Sequence, residues 1–403
     1  MDRVYGAPAR YVSPPSARLS YYDGREEFGG WDGPRADGVA RFDHTLMYTT
    51  MALVMVGLMS VFTASAAQAD LETGNSVTTL FKQLISVGIG GGALLFFMGF
   101  SFERLNRWAI PFSLICVGLL MMTMFMGTTA NGSERWIMLP FGFQFQPSDF
   151  AKVGAIVLMA QATSQRSLWG MGTWLNVMLV GVMTVLILQQ PNLSVTMILG
   201  MLTFAMLFVA GLPRFIVLGS LPILAFAIYQ KIRHTEYQWK RIVGWLNPWN
   251  DAQDAGYNLI QSYYAIGSGG LVGVGLGNSI QKLYYLPFQH TDFIFSVICE
   301  EWGFIGAVIV IGLFALLGWR GFTIAWHCPS RFGKMLAFGL TLAIVLQALI
   351  NISVTIGLMP VTGVTLPLIS YGGTSMIVTL SMIGMLLNVS KARPARLPQH
   401  EEY

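Results

Sequence analysis

The sequence predicts an all-α integral membrane protein with about ten transmembrane helices and one long extracytoplasmic loop. Three observations carry that reading. Apolar residues make up 54% of the chain and charged residues only 11%, and the mean hydropathy is +0.57, a balance foreign to soluble domains. Ten separate apolar runs reach or approach the ~20 residues that cross a bilayer as helix. Lys and Arg gather in alternate connecting segments, as topology requires of a multi-span chain.

Residues 1–44 hold Pro14-Pro15, scattered glycines and both charge signs, with too little apolar surface to make a core. They read as a disordered cytoplasmic arm. The membrane domain is expected over 45–391, with spans at 45–66, 79–100, 107–127, 149–164, 173–190, 194–212, 214–231, 293–319, 333–356 and 370–390, followed by a short cytoplasmic tail at 392–403. The fourth run is short and polar at its start, and Gln189-Gln-Pro-Asn192 interrupts the fifth and sixth. No cleavable signal precedes the first span, which reads as an uncleaved anchor. The arm carries Arg3, Arg10, Arg18, Arg25, Arg35 and Arg41. The connections on the same side add Arg104, Arg107, Arg166, Arg214, Arg320, Arg331 and Lys334, and the tail adds Lys391, Arg393 and Arg396. The positive-inside rule therefore places both termini in the cytoplasm.

Cys116, Cys299 and Cys328 fall in or beside different spans with no paired spacing, so neither a disulfide framework nor a metal cage is expected. The net charge of +4 is small for this length. Lying largely on the cytoplasmic side, it suits an anionic leaflet, not nucleic acid.

Three polar constellations remain outside the apolar spans. The first runs from Glu134-Arg-Trp-Ile137 through Gln144-Phe-Gln-Pro-Ser-Asp-Phe-Ala-Lys152. Pro147, Ser148 and Asp149 read as a helix start with a capping side chain, and Asp149 and Lys152 can pair three residues apart. That cap and ion pair is one reading. The other makes Arg135 and Lys152 cationic donors for a phosphate at the membrane surface.

The second constellation is the long outer loop, about 232–291, with Lys240-Arg241, Asn247-Pro-Trp-Asn-Asp-Ala-Gln-Asp254 and six glycines between 267 and 277. A loop of this length is usually functional or disordered, and its apolar and aromatic content argues against disorder. The glycines permit tight turns and close backbone approach to a ligand. They never give the nucleotide-cradling spacing, and no Lys-Ser/Thr follows them. Gly88-Ile-Gly-Gly-Gly-Ala93 matches that spacing loosely but lies inside a span, where small residues serve helix packing.

The third constellation is His290-Thr-Asp-Phe-Ile-Phe295 with Glu300-Glu301. If a helix begins near Asp292, Ser296 shares its face, Glu300 falls two turns further in, and Glu301 points the opposite way. Thr291 or Asp292 could act simply as a helix cap. Against that reading, His290, Asp292 and Glu300 concentrate titratable groups at an apolar boundary. Such a setting raises a carboxylate pKa and makes a general base, and ionisable groups at such depth mark substrate or ion paths.

Gly277-Asn-Ser-Ile-Gln-Lys-Leu-Tyr-Tyr-Leu-Pro287, His290-Thr-Asp-Phe-Ile-Phe295, Glu300-Glu301, Gln146-Pro-Ser148 and Pro360-Val-Thr-Gly-Val-Thr-Leu-Pro-Leu-Ile-Ser-Tyr-Gly-Gly373 together resemble the SEDS family of peptidoglycan polymerases over about residues 45–390. The Asn-Ser-x-Gln-Lys-Leu stretch resembles the FtsW and SpoVE branch more than the RodA branch. The resemblance implies a glycosyltransferase in the bacterial inner membrane that joins lipid II units outside the cytoplasm, inverting the donor to a β-1,4 bond and releasing undecaprenyl pyrophosphate. It makes Asp292 the essential aspartate, either as base or as anchor of a divalent cation, Mg or Mn. The leaving diphosphate concentrates negative charge that cations at the membrane surface would stabilise; Arg135, Lys152 and Arg241 are the candidates for that role, with Lys282 and His290 as further diphosphate-binding candidates and Asp149, Glu300, Ser370 and Gly372 in support. The partners implied are lipid II, the nascent glycan strand, a class B penicillin-binding protein acting as transpeptidase, and divisome or elongasome membrane proteins.

The chain departs from the family pattern at three positions. Asp149 replaces the usual Glu, Gln190-Pro-Asn192 lacks a carboxylate, and Phe288 stands where Glu is frequent. The rival classes are a lipid flippase or secondary carrier, suggested by broken spans, and a scaffold for the transpeptidase. No internal repeat is visible, and the polar residues gather on one face, which argues against the carrier. A scaffold would tolerate Asp292→Ala, and an enzyme would not.

Overall fold

The computed structural model describes residues 42–126, 128–130, 133–138, 144–165, 168–190, 192–279, 287 and 289–392; residues 1–41 of the arm, most of the tail and Lys282 lie outside these, and the last residues assigned to the arm, Asp43 and His44, begin the first helix. The helices are α1 (His44–Thr73), α2 (Thr78–Gly99), α3 (Phe102–Arg107), α4 (Ala109–Met126), α5 (Pro147–Ser164), α6 (Met171–Gln189), α7 (Leu193–Val209), α8 (Arg214–Arg233), α9 (Glu236–Leu246), α10 (Tyr257–Gly269), α11 (Ile294–His327), α12 (Arg331–Thr355) and α13 (Gly373–Ser390). Local chemistry sets several ends. Asp43 accepts the Leu46 N–H at 2.8 Å to cap α1, and Asn192 caps α7 by accepting from Val195, which gives that departure from the family pattern a structural role.

All ten apolar runs fall on helices, although not all are equally suited to lipid. Among the described residues, six helices or parts of helices are long and apolar enough to cross a membrane: His44–Ala66, Thr78–Gly99, Met171–Gln189, Ile294–His327, Arg331–Thr355 and Gly373–Ser390; Ala109–Phe125 and Leu193–Val209 are shorter apolar helices. The fourth run looked weak in sequence because its helix, α5, is enclosed by protein. Nearly every α5 residue from Pro147 to Thr163 is buried, against α4, α6, α7 and α12. A helix surrounded by helices can carry Asp149, Lys152 and Ser148 because its polar groups meet protein instead of lipid.

One addition to the helical frame is a small antiparallel sheet between α4 and α5, ordered β1 (Thr128–Ala130), β2 (Ser133–Met138), β3 (Gln144–Phe145). Thr128 faces Trp136, and Ile137 faces Phe145. Among the glycines of the 88–93 run, packing rests on Gly90, where a Cβ would come within 2.6 Å of Leu380 on α13; Gly88, Gly91 and Gly92 face open space.

The long loop expected over about 232–291 is substantially structured. It contains α9, a short 3-10 turn at Pro248–Asp251, and α10, and its glycine segment packs onto α11. There α11 breaks at Gly303, with φ 65° and ψ −160°, a conformation open to glycine and strained for other residues. The freed backbone groups pair with the glycine segment. Phe304 N–H donates to Gly270 C=O at 2.9 Å, and Gly275 N–H donates to Glu301 C=O at 3.1 Å. A Cβ on Gly303 would lie 2.4 Å from the Gly273 nitrogen. The close backbone approach expected of these glycines is therefore made to a helix.

Candidate active site

Asp292 sits on the turn just before α11. That helix starts at Ile294 with Phe293 as its N-cap and no side-chain capping bond, so neither Thr291 nor Asp292 serves as its cap. Phe293, Ile294 and Phe295 are almost wholly buried and anchor the helix start in the core. Three successive carbonyls ahead of it are then fixed by other elements. The Tyr371 N–H donates to His290 C=O at 2.9 Å, the Ser370 hydroxyl donates to Thr291 C=O at 2.6 Å, and Asn351 Nδ2 donates to Asp292 C=O at 2.8 Å.

Two of those donors belong to a strap running from Met359 to Gly372, between α12 and α13. Gln83 on α2 holds its far end, donating to Ser370 C=O at 3.3 Å and accepting from Gly372 N–H at 3.4 Å. The Ser370 hydroxyl also accepts the Leu366 N–H at 2.7 Å. Gly363 lies beside the carboxylate: with φ +68°, a Cβ there would stand 3.5 Å from Asp292 Oδ2. The rings of His290 and Tyr371 meet edge to face at 5.6 Å.

Burial raises the Asp292 pKa from 3.8 to about 6, opposed by the positive charge of Arg241. Desolvation disfavours the ionised form and a nearby cation restores part of it. Arg241 is itself held. Its guanidinium stacks over the Tyr237 ring at 4.5 Å, donates to the Tyr237 hydroxyl and donates to Val361 C=O at 3.1 Å. One turn along α9, Trp245 Nε1 donates to Gly357 C=O at 2.8 Å. Helix α9 thus presents a fixed cation to the strap beside Asp292.

The pairing read from the spacing of Asp149 and Lys152 is present, at 2.9 Å, in the interior. Both residues are 5% exposed. Lys152 also donates to Gln347 Oε1 at 2.8 Å, and Gln347 donates to Thr365 C=O at 3.0 Å, so this pair is buried and wired to the strap. The helix start at Pro147 is as expected, but its N-cap is Gln146 with no side-chain bond, and the buried Ser148 hydroxyl has no hydrogen-bond partner among the described residues.

The other expected residues are more dispersed. Arg135 falls on β2. The side chain of Glu300 accepts from the Ser279 hydroxyl, and Glu301 Oε1 accepts the Gly277 N–H at 3.1 Å. Both glutamates are thereby engaged with the glycine segment, and Ser296 bonds Ser262 on α10 at 2.6 Å. Sequence reasoning passed over Gln83, Gln347 and Asn351. Their signal was present: each is an amide inside an otherwise apolar span, and Gln347 and Asn351 are one helical turn apart. Among the described residues no three His, Cys, Asp or Glu side chains gather in a metal-holding group. A magnesium ion can nonetheless be held by one carboxylate and substrate phosphates, and Asp292 fits that use.

The family described as "Cell cycle protein", which gathers FtsW, RodA and SpoVE, matches residues 43–394. The chain belongs to this FtsW/RodA/SpoVE family. The chain is 36% identical over 362 residues to the probable peptidoglycan glycosyltransferase FtsW of Geobacter sulfurreducens, covering 87% of this chain and 96% of that one. It is 38% identical over 357 residues to stage V sporulation protein E of Bacillus subtilis, covering 87% and 97%. Solved family structures superpose as well. One, described as "Structural coordination of polymerization and crosslinking by a peptidoglycan synthase complex", matches with a TM-score of 0.73 at 31% identity, covering 87% of this chain and 97% of that chain. RodA of Thermus thermophilus matches with a TM-score of 0.65 at 29% identity, covering 87% and 96%. With six helices among the described residues long and apolar enough to cross a membrane, the chain is a multi-pass membrane protein of this family.

Proposed function

We propose that the chain is a peptidoglycan glycosyltransferase that joins lipid II units during septal wall synthesis, with Asp292 as its catalytic base. The observation that carries the assignment of Asp292 is its setting: a carboxylate raised to about pH 6 by burial, on a turn whose carbonyls are fixed at 290, 291 and 292. A base tuned toward the working pH holds its proton-accepting form while retaining driving force for proton transfer.

In this reading the 4-hydroxyl of the acceptor sugar attacks the anomeric carbon of the lipid-linked donor. Its proton passes to an Asp292 carboxylate oxygen. The C–O bond to the diphosphate breaks with inversion, the electron pair leaves with undecaprenyl pyrophosphate, and a β-1,4 bond remains. Arg241, held over the strap by Tyr237 and Val361, faces the charge that develops on the leaving group, where a preorganised cation stabilises the transition state. Arg135, Lys282 and His290 are further candidates for the diphosphate. Lys152, paired with Asp149 and Gln347, acts within the protein as a support of the strap. Asp292 is the residue that would hold a divalent cation, Mg or Mn, which would supply positive charge against the diphosphate.

The septal branch is supported by relatives named FtsW and stage V sporulation protein E. An elongation role is the second reading, favoured by the likeness to RodA structures. A class B penicillin-binding protein is the partner proposed, in line with the synthase complex among the structural relatives, together with divisome membrane proteins. The Lys and Arg distribution supports cytoplasmic termini and an extracytoplasmic site. The test supplies labelled lipid II to the chain purified with its transpeptidase. Polymer from the parent and none from folded Asp292→Ala supports the assignment, whereas equal polymer from both removes Asp292 from the chemistry.

A further inference from the structure

Two strands of backbone face each other across the Asp292 carboxylate, and one side chain joins them. Asn351, on α12 and 1% exposed, donates from its single Nδ2 to Asp292 C=O at 2.8 Å and to Val364 C=O at 2.7 Å. Val364 follows Gly363, the residue whose Cβ position lies 3.5 Å from Asp292 Oδ2. The same amide group therefore fixes both the residue that carries the carboxylate and the strand against which the carboxylate rests.

The chemistry of this junction is specific. Two carbonyl oxygens converge on one –NH2, so both hydrogens are used. Asn351 Oδ1 is buried with no hydrogen-bond partner among the described residues, so the donor half of the side chain is the half in service. An ionised carboxylate at this position would have no hydrogen to give and would set oxygen against two oxygens. One turn earlier on α12, Gln347 ties Lys152 to Thr365 on the same strap. Gln347 holds the strap alone, and Asn351 holds the strap and the Asp292 turn together.

We propose that Asn351 is a positioning residue for Asp292, clamping the Asp292 and Val364 carbonyls with one amide so that the carboxylate is held at a fixed place beside Gly363. This rests on the reading of Asp292 as the base. Proton transfer demands heavy-atom distances of about 2.6–3.2 Å, and an ångström of misplacement is costly to rate. Asn351 bonds the Asp292 turn and Val364, whereas Arg241, proposed to face the diphosphate, is held by Tyr237 and Val361, so loss of the clamp falls on turnover more than on binding.

The experiment measures kcat and KM for labelled lipid II, with the full chain in complex with its transpeptidase, for the parent, Asn351→Ala, Asn351→Asp, Asn351→Gln, Gln347→Ala and Asp292→Ala, with a melting curve for each. The expected result is an inactive Asp292→Ala, together with Asn351→Ala and Asn351→Asp that fold, keep KM within about twofold and lose 10- to 100-fold in kcat. Asn351→Gln, which keeps the –NH2, should regain at least a tenth of the parent rate, and Gln347→Ala should lose less than Asn351→Ala. Asp292→Ala at the parent rate would overturn the base assignment itself. With Asp292→Ala inactive, the clamp is overturned if Asn351→Asp keeps kcat within twofold. It is also overturned if Asn351→Ala and Asn351→Asp lose activity only in proportion to folded protein, with Asn351→Gln no better, or if neither folds.

Discussion

The Ser370 hydroxyl donates to the Thr291 carbonyl at 2.6 Å and accepts the Leu366 N–H at 2.7 Å. One oxygen thereby closes the strap's own turn and fastens it to the turn that carries Asp292. Ser370→Ala leaves a buried carbonyl and a buried N–H without this partner. The expected cost is about 1–3 kcal/mol, read as a lower melting temperature, with polymerisation reduced several-fold in the protein that remains folded.

Polymerisation should follow the ionisation of Asp292. Its pKa lies at about 6, so activity is expected to fall as pH drops through 6, where an ordinary carboxylate would hold the rate down to about pH 4. An initial-rate profile between pH 4.5 and 8 checks this, with the acid limb as the readout.

The same shift makes a stability prediction of definite sign. A carboxylate whose pKa is higher folded than unfolded favours the fold in its protonated form. Its contribution is complete below the unfolded value, about 4, and is lost as pH rises through about 6. Asp292→Asn, which stays neutral, should therefore be more stable than the parent at pH 8, by of order 1–3 kcal/mol, with the advantage vanishing near pH 4. Melting curves at the two pH values decide it.

The pair Lys152–Asp149, at 2.9 Å and 5% exposed on both sides, should behave as a buried ion pair. Lys152→Met strands the Asp149 carboxylate and is expected to cost about 3–5 kcal/mol. Lys152→Met with Asp149→Asn removes both charges and should recover most of that loss. Unfolding of the two variants side by side gives the comparison.

Gly303→Ala should abolish the folded protein or lower its melting temperature sharply. The added carbon would meet the Gly273 nitrogen at 2.4 Å, at a residue with φ 65°. Gly88→Ala, facing open space, is the control expected to melt with the parent.

Much of this was legible in the chain. Length and apolarity marked every long span, because lipid-facing helices must be apolar along their length. Asp292 stood out because a carboxylate at such a boundary is conspicuous. Two kinds of information were hidden. Helix α5 read as a weak span because its surroundings are protein, a fact that belongs to the packing of α4, α6, α7 and α12 around it. The work of Asn351, Gln347 and Gln83 is to hold backbone carbonyls from segments 13 to 287 residues away, and no local pattern encodes such a partner. Glu300 is a similar case: it was legible as a carboxylate close to Asp292 in sequence, but its bond to the Ser279 hydroxyl on the glycine segment was not.

The break at Gly303 divides α11 mechanically. The nine residues from Ile294 to Trp302 form a short stub, riveted by Val274 and Gly275 to the glycine segment through the carbonyls of Glu300 and Glu301. The remainder, from Phe304 to His327, is a separate rod. The carbonyls of Gly270 and Leu271 accept the Phe304 and Ile305 N–H groups at the head of that rod, so the glycine segment splices the two pieces across the break, and a pull on it reaches the rod as well as the stub that leads to Asp292.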